Sequence, residues 1–137
     1  MDVILLIGRV MLGMIFIGSG VAGHLMQTEG TAAYAEMRGL KNPKGLTQVS
    51  GVLIAAGGVG LVLGIWMDVA ALGLAVYSLA AAFLIHHFWS DEDPALQQSE
   101  MTQFMKNLSI AGGCLILFAF YNELGEAVGL TITGPLL

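Results

Sequence analysis

The chain is short of charge. Only 11% of its 137 residues are Asp, Glu, Lys or Arg, where a soluble domain carries roughly 25%. With a mean hydropathy of +0.80, too little polar surface is left to clothe a globule in water, and a soluble fold is excluded. The net charge of −5 argues against nucleic acid as a partner. The single cysteine, Cys114, excludes an internal disulfide and any CxxC redox centre within one chain. A lone thiol in an apolar run is most often a small buried hydrophobe. No nucleotide motif, haem pair or HxxxH spacing is present, so the chain has no intrinsic redox centre and no metal site is expected.

What is abundant is apolar length. Residues 3–26 form a first run broken only by Arg9 and His24, long enough to cross a hydrocarbon layer of about 30 Å. Asp2 in place of a basic region, the length of the run and the lack of a small-x-small site argue for a retained helix over a cleaved signal peptide. Residues 49–67, 69–89 and 104–124 give three further spans. In the second, Ala56, Gly60 and Gly64 recur every four residues and predict a close-packing face. Residues 27–48 are polar, with Arg38, Lys41 and Lys44. Thr31 to Met37 predicts a short interfacial helix anchored by Tyr34. Residues 90–102 read as an acidic loop in which Pro94 excludes a continuous helix. The 14 apolar residues 108–121 give only about 21 Å of helix, so Lys106 and Asn107 at one end, and Asn122 and Glu123 at the other, are expected at the membrane boundary. No structure is assigned to the tail, 125–137. The expected fold is all-α, a single domain over residues 1–137: an integral membrane antiparallel four-helix bundle with short connections.

Alternation of the spans gathers His24, Gln48, His86, His87, Trp89, Lys106 and Asn107 on one membrane face. Arg9, Asp68, Tyr121, Asn122 and Glu123 fall on the other. Arg9 stands about 9 Å inside span one, where an unpartnered guanidinium is expensive. It is expected to form a structural ion pair with Glu123 or Asp68, the alternatives being snorkelling and a substrate or proton path. His86 and His87, adjacent on a helix, diverge by about 100° and cannot both face the bundle axis. His24, His86, Lys106 and Asn107 make a candidate polar pocket. Its histidines either bond backbone and loop groups or touch a cofactor headgroup, and its lysine and asparagine either cap span four or recognise an anion or carbonyl.

These residues resemble the DoxX family of small four-span membrane proteins. Arg9 with Leu12-Gly13, Phe16 and Ser19-Gly20 is similar to that family's first helix, and Gly57-Gly58 through Leu63-Gly64 to its second. His86-x-Phe88-Trp89, Gln98 and Phe104-x-Lys106-Asn107 with Gly112-Gly113 resemble its most recognisable segment. Ser50 and Gly51 stand where the family often carries a glutamate, and Asp68 where it often carries a basic residue. The resemblance implies a location in the bacterial cytoplasmic membrane and a link to membrane oxidoreductase systems. It also favours His86 over His87 as the inward residue. A quinone is the cofactor this corner could take, since His24, His86 and Lys106 are donors at the right depth. The competing expectation is a non-enzymatic scaffold that docks a partner protein or a second copy through its basic 38–44 and acidic 91–100 segments. Four basic residues on the histidine face against Arg9 on the other point that face to the cytoplasm.

Overall fold

A computed structural model of the chain describes residues 1–125 and 127–137 throughout, and of Glu126 the backbone alone. Among the described residues five α-helices are joined by short connections: α1 Asp2–Gly18, α2 Thr28–Met37, α3 Pro43–Leu63, α4 Met67–Leu84 and α5 Pro94–Leu124. Four stretches of the described residues are long and apolar enough to cross a membrane: Asp2–Leu25, Pro43–Leu63, Met67–Ser90 and Pro94–Leu124. Their large apolar side chains point outward in numbers that only lipid would tolerate. Met11, Met14, Val52, Leu53, Val76 and Ile116 are all exposed. The inner core joins Phe16 of α1, Ile54 and Leu61 of α3, Leu74 and Ala75 of α4, and Cys114 and Leu117 of α5. The protein is an all-α membrane bundle, and Cys114 is one of its buried packing residues.

Between membrane helices small residues do the fitting, because lipid tails are as apolar as the side chains they would displace. Span one and α3 approach backbone to backbone at two levels seven residues apart. A Cβ on Gly13 would stand 2.7 Å from the Gly58 carbonyl oxygen, and one on Gly20 would stand 2.6 Å from that of Gly51. The expected stripe of Ala56, Gly60 and Gly64 is not this face. Ala56 is exposed, Gly60 faces Ile65 and Ala70 of its own hairpin, and Gly64 ends α3 with φ +69°. The four-residue spacing is present, but a seven-residue spacing on a different side of the helix makes the contact.

Past Gly18 the first span continues as a π-helical stretch, Ser19–Leu25. The wider turns advance the helix face, a feature common at functional sites, and this stretch carries His24. At the other end of the bundle, α4 stops at Leu84, so His86 and His87 leave the helix before the 3₁₀ turn Phe88–Ser90. Their divergence is therefore set by the tight turn after α4, in which the Phe88 amide donates to the His86 carbonyl at 2.9 Å, and not by helical geometry.

The acidic segment departs furthest from expectation. Pro94 does not interrupt a helix there. It begins one, because the first turn has no intrahelical partner for the N–H that proline lacks. Asp93 caps the start by accepting from the Leu96 amide at 2.9 Å. The helix then runs unbroken for 31 residues, about 46 Å. Its buried residues Glu100, Asn107, Ala111, Cys114, Leu117 and Tyr121 share one face.

The tail folds back over the α3–α4 hairpin. The amides of Ile132 and Thr133 donate to the Gly64 carbonyl at 3.0 and 3.1 Å, and those of Leu136 and Leu137 donate to Asp68 Oδ2 at 2.6 and 2.5 Å. Tyr121 donates its hydroxyl to the Thr133 carbonyl.

A polar cavity at one end of the bundle

Span one, α2, α3, α4 and α5 surround a cavity of about 360 Å³. Its walls are mostly apolar, with Ile15, Phe16, Leu46 and Ile110 among them, while the polar lining includes His24, Tyr34, Tyr77, His86, Lys106 and Asn107 beside the hydroxyls of Ser19, Thr31, Thr47 and Ser50. The four residues of the pocket expected from the sequence, His24, His86, Lys106 and Asn107, thus line one cavity. His87 does not. It bonds the Ser90 hydroxyl at 2.6 Å and the Arg38 carbonyl at 3.3 Å.

Each histidine of the lining has one nitrogen fixed by a group that can only accept. His24 Nδ1 lies 2.9 Å from the Ser19 carbonyl oxygen, so it carries the proton. In neutral His24 the other nitrogen is then an acceptor, and Tyr77 donates its hydroxyl to Nε2 at 3.1 Å. His86 Nδ1 lies 2.8 Å from Glu100 Oε2, while Glu100 Oε1 accepts the Tyr34 hydroxyl. Across the cavity, Asn107 donates Nδ2 to the Gln103 carbonyl at 3.0 Å, and Lys106, exposed, donates to the Gln103 side chain.

Above this lining sits a second polar layer. No Cα of α2 comes within 8 Å of α4 or α5, and long side chains bridge the gap. Arg38, beyond the end of α2, donates Nε to the Ile85 carbonyl at 2.6 Å and Nη1 to Asp91 Oδ1 at 2.7 Å. Its Nη2 lies 3.9 Å from Glu100 Oε2. The side chains of Arg38, Asp91 and Glu100 are each under 10% exposed. The bond to Arg38 holds the Asp91 carboxyl below the usual aspartate range, and the same bond raises the Arg38 guanidinium. Burial, and after it the bond to Glu100, pushes the Tyr34 phenol up, so it remains a donor. The basic and acidic segments expected to dock a partner thus spend Arg38, Asp91 and Glu100 on one another.

The ion pair expected of Arg9 is absent among the described residues. Arg9 is buried, but it donates Nε to the Leu61 carbonyl and Nη2 to the Val62 carbonyl, both at 2.9 Å. These oxygens belong to the last turn of α3, which has no further amides to serve them, and a cation there also suits the helix dipole. Asp68 is occupied by the tail amides, and Glu123 is exposed. Bare helix-end carbonyls took the guanidinium that a carboxylate was expected to take.

Tyr77, Arg38, Asp91 and Glu100 were missed as members of the site. A signal for Glu100 did exist. Continued through Pro94, the α5 face that carries Tyr121, Cys114, Ala111 and Asn107 next meets Gln103 and Glu100 at helical spacing. Among the described residues no group of three or more His, Cys, Asp or Glu side chains is placed to hold a metal.

The family model DoxX matches residues 4–87. Two curated relatives from Escherichia coli (strain K12) match over most of their length. Inner membrane protein YphA is 32% identical over 115 residues, 84% of this chain and 81% of its own. Inner membrane protein YqjF is 32% identical over 116 residues, 85% and 82% of the two chains. The chain belongs to the DoxX family, and like these relatives it is an integral membrane protein of the inner membrane. No solved structure matches it. The family match ends at residue 87, so Lys106 and Asn107 lie beyond it.

Proposed function

We propose that the protein is the membrane subunit of an oxidoreductase system and holds the headgroup of a quinone-type molecule in its polar cavity. One observation carries this reading: a mostly apolar space of about 360 Å³ that ends in His24, Tyr77, His86, Lys106 and Asn107. Such a space suits a compact polar ring on a lipid tail, with the walls burying the ring and the tail lying in the bilayer. The chain contributes no redox centre of its own, so electrons would pass between the headgroup and a partner protein.

The test is to purify the protein in mild detergent, extract it for lipid-soluble quinone, and titrate a short-tailed quinone analogue into protein held in nanodiscs. Saturable binding that weakens at least tenfold in His24→Phe or Tyr77→Phe supports the reading. Preparations that contain no quinone and bind no analogue would sink it.

A further inference from the structure

The hydrogen bonds around the cavity fix which form of a headgroup it can recognise. An ionised carboxylate only accepts, so in the His86–Glu100 pair, 2.8 Å apart, the proton lies on Nδ1. Neutral His86 then has a bare Nε2, which has no protein partner among the described residues, and its ring lines the cavity. Glu100 is held in place from two sides, by the Tyr34 hydroxyl on Oε1 and by Arg38 Nη2 at 3.9 Å from Oε2. It therefore acts as the positioning residue that sets the tautomer. The second histidine repeats the arrangement. His24 commits its Nδ1 proton to the Ser19 carbonyl and takes the only Tyr77 hydroxyl proton on Nε2, so the Tyr77 oxygen keeps only lone pairs for a ligand. Donors also line the cavity: Lys106 is exposed and bonded to Gln103, Asn107 gives one amide proton to the Gln103 carbonyl, and the Ser19 and Thr47 hydroxyls can donate or accept.

We propose that the cavity is built to receive a hydroxyl donor: of the two redox forms of a quinone-type headgroup it selects the reduced hydroquinone, with His86 Nε2 as the acceptor that Glu100 sets. This rests on the reading of the cavity as a headgroup site and adds its direction, since hydroquinone offers protons where the quinone offers carbonyl lone pairs.

The test uses the full chain in nanodiscs of phosphatidylcholine, whose headgroup has no hydroxyl to compete, at pH 8 without oxygen. Short-tailed hydroquinone and its matching quinone are titrated separately. Wild type should bind the hydroquinone about tenfold more tightly, as one hydrogen bond made against one refused requires. In Glu100→Gln the amide accepts from Tyr34 and donates to His86 Nδ1, which moves the histidine proton to Nε2, a donor that both forms can accept, and the preference falls to about twofold or less. In His86→Phe the preference falls to about twofold or less. Nitrogen-15 NMR of His86 reads the tautomer without any ligand: protonated Nδ1 in wild type, protonated Nε2 in Glu100→Gln. Equal binding of the two forms, or a preference that survives Glu100→Gln, overturns the inference and leaves the headgroup site standing. If neither form binds, both readings fall. A wild-type His86 protonated at Nε2 overturns the inference whatever binds, and that measurement stands even if Glu100→Gln does not fold.

Discussion

Arg38 meets Asp91 in a two-pronged pair, Nη1 to Oδ1 at 2.7 Å and Nη2 to Oδ2 at 3.2 Å, and so ties the end of α2 to the segment that follows α4. Both side chains are largely buried, and a planar fork suits a carboxylate better than an ammonium would. With Tyr34 and Glu100, this pair spans the gap that the helix backbones leave open.

The pair makes stability depend on pH in a defined direction. The Asp91 carboxyl is depressed in the folded protein by its bond to Arg38, so its contribution is fully present above the ordinary aspartate value of about 3.9. It is lost as pH falls through the lower, folded value. Melting temperature in detergent should therefore drop as pH falls below about 4. Asp91→Asn should start lower at neutral pH and show a shallower drop over that window. An equally steep drop in the variant would place the acid sensitivity elsewhere.

Arg9 should matter through α3 and not through a carboxylate. Its two bonds to the Leu61 and Val62 carbonyls fill acceptors that nothing else in α3 can serve. Removing a charged donor that leaves such groups bare costs about 1.5–3 kcal/mol. Arg9→Leu should lose that much in equilibrium unfolding from detergent micelles, and Arg9→Lys, which keeps the charge but not the fork, should lose less. Glu123→Gln should be silent. A Glu123→Gln loss matching that of Arg9→Leu would restore the ion pair.

How far the sequence could be read follows from these contacts. Apolar length reveals spans, because hydrocarbon thickness sets it, and alternation of the spans groups His24, His86, Lys106 and Asn107, which line one cavity. Partners were harder to read, because they depend on where helices end. Pro94 looked like a breaker until Asp93 supplied a cap, and with that helix unrecognised Glu100 counted as loop charge. Arg9 was matched to acids because a sequence displays its charges but not the bare carbonyls of a helix terminus. The tail gave no pattern at all, since backbone amides bonded to Asp68 and Gly64 hold it in place.

Orientation gives a prediction the bundle itself does not fix. Arg38, Lys41, Lys44 and Lys106 lie on the histidine side and Arg9 alone on the other, and basic residues stay with the cytoplasm. Arg38 is paired with Asp91 and Lys44 with Glu29 at 2.5 Å, but acidic neighbours contribute little to this rule. A reporter fused after Leu137 should accordingly read as periplasmic: alkaline phosphatase active, green fluorescent protein dark. The opposite pattern would turn the cavity toward the periplasm.

Glycine substitutions should divide sharply by position. A Cβ on Gly20 would lie 2.6 Å from the Gly51 carbonyl and 2.9 Å from the Ala55 backbone nitrogen, whereas one on Gly73 meets nothing within 4 Å. Backbone cannot swing aside as a side-chain tip can, so Gly20→Ala has to part span one from α3, at a cost of about 1–3 kcal/mol. The same displacement carries the π-helical turn with it, and His24 Nε2 then loses its 3.1 Å contact with Tyr77. Gly73→Ala, in the middle of α4 and facing outward, should instead gain about 0.5–1 kcal/mol from the helix preference of alanine. Unfolding both variants beside wild type in one detergent checks the pair. Equal tolerance at Gly20 and Gly73 would mean that span one and α3 are not packed backbone to backbone at this level.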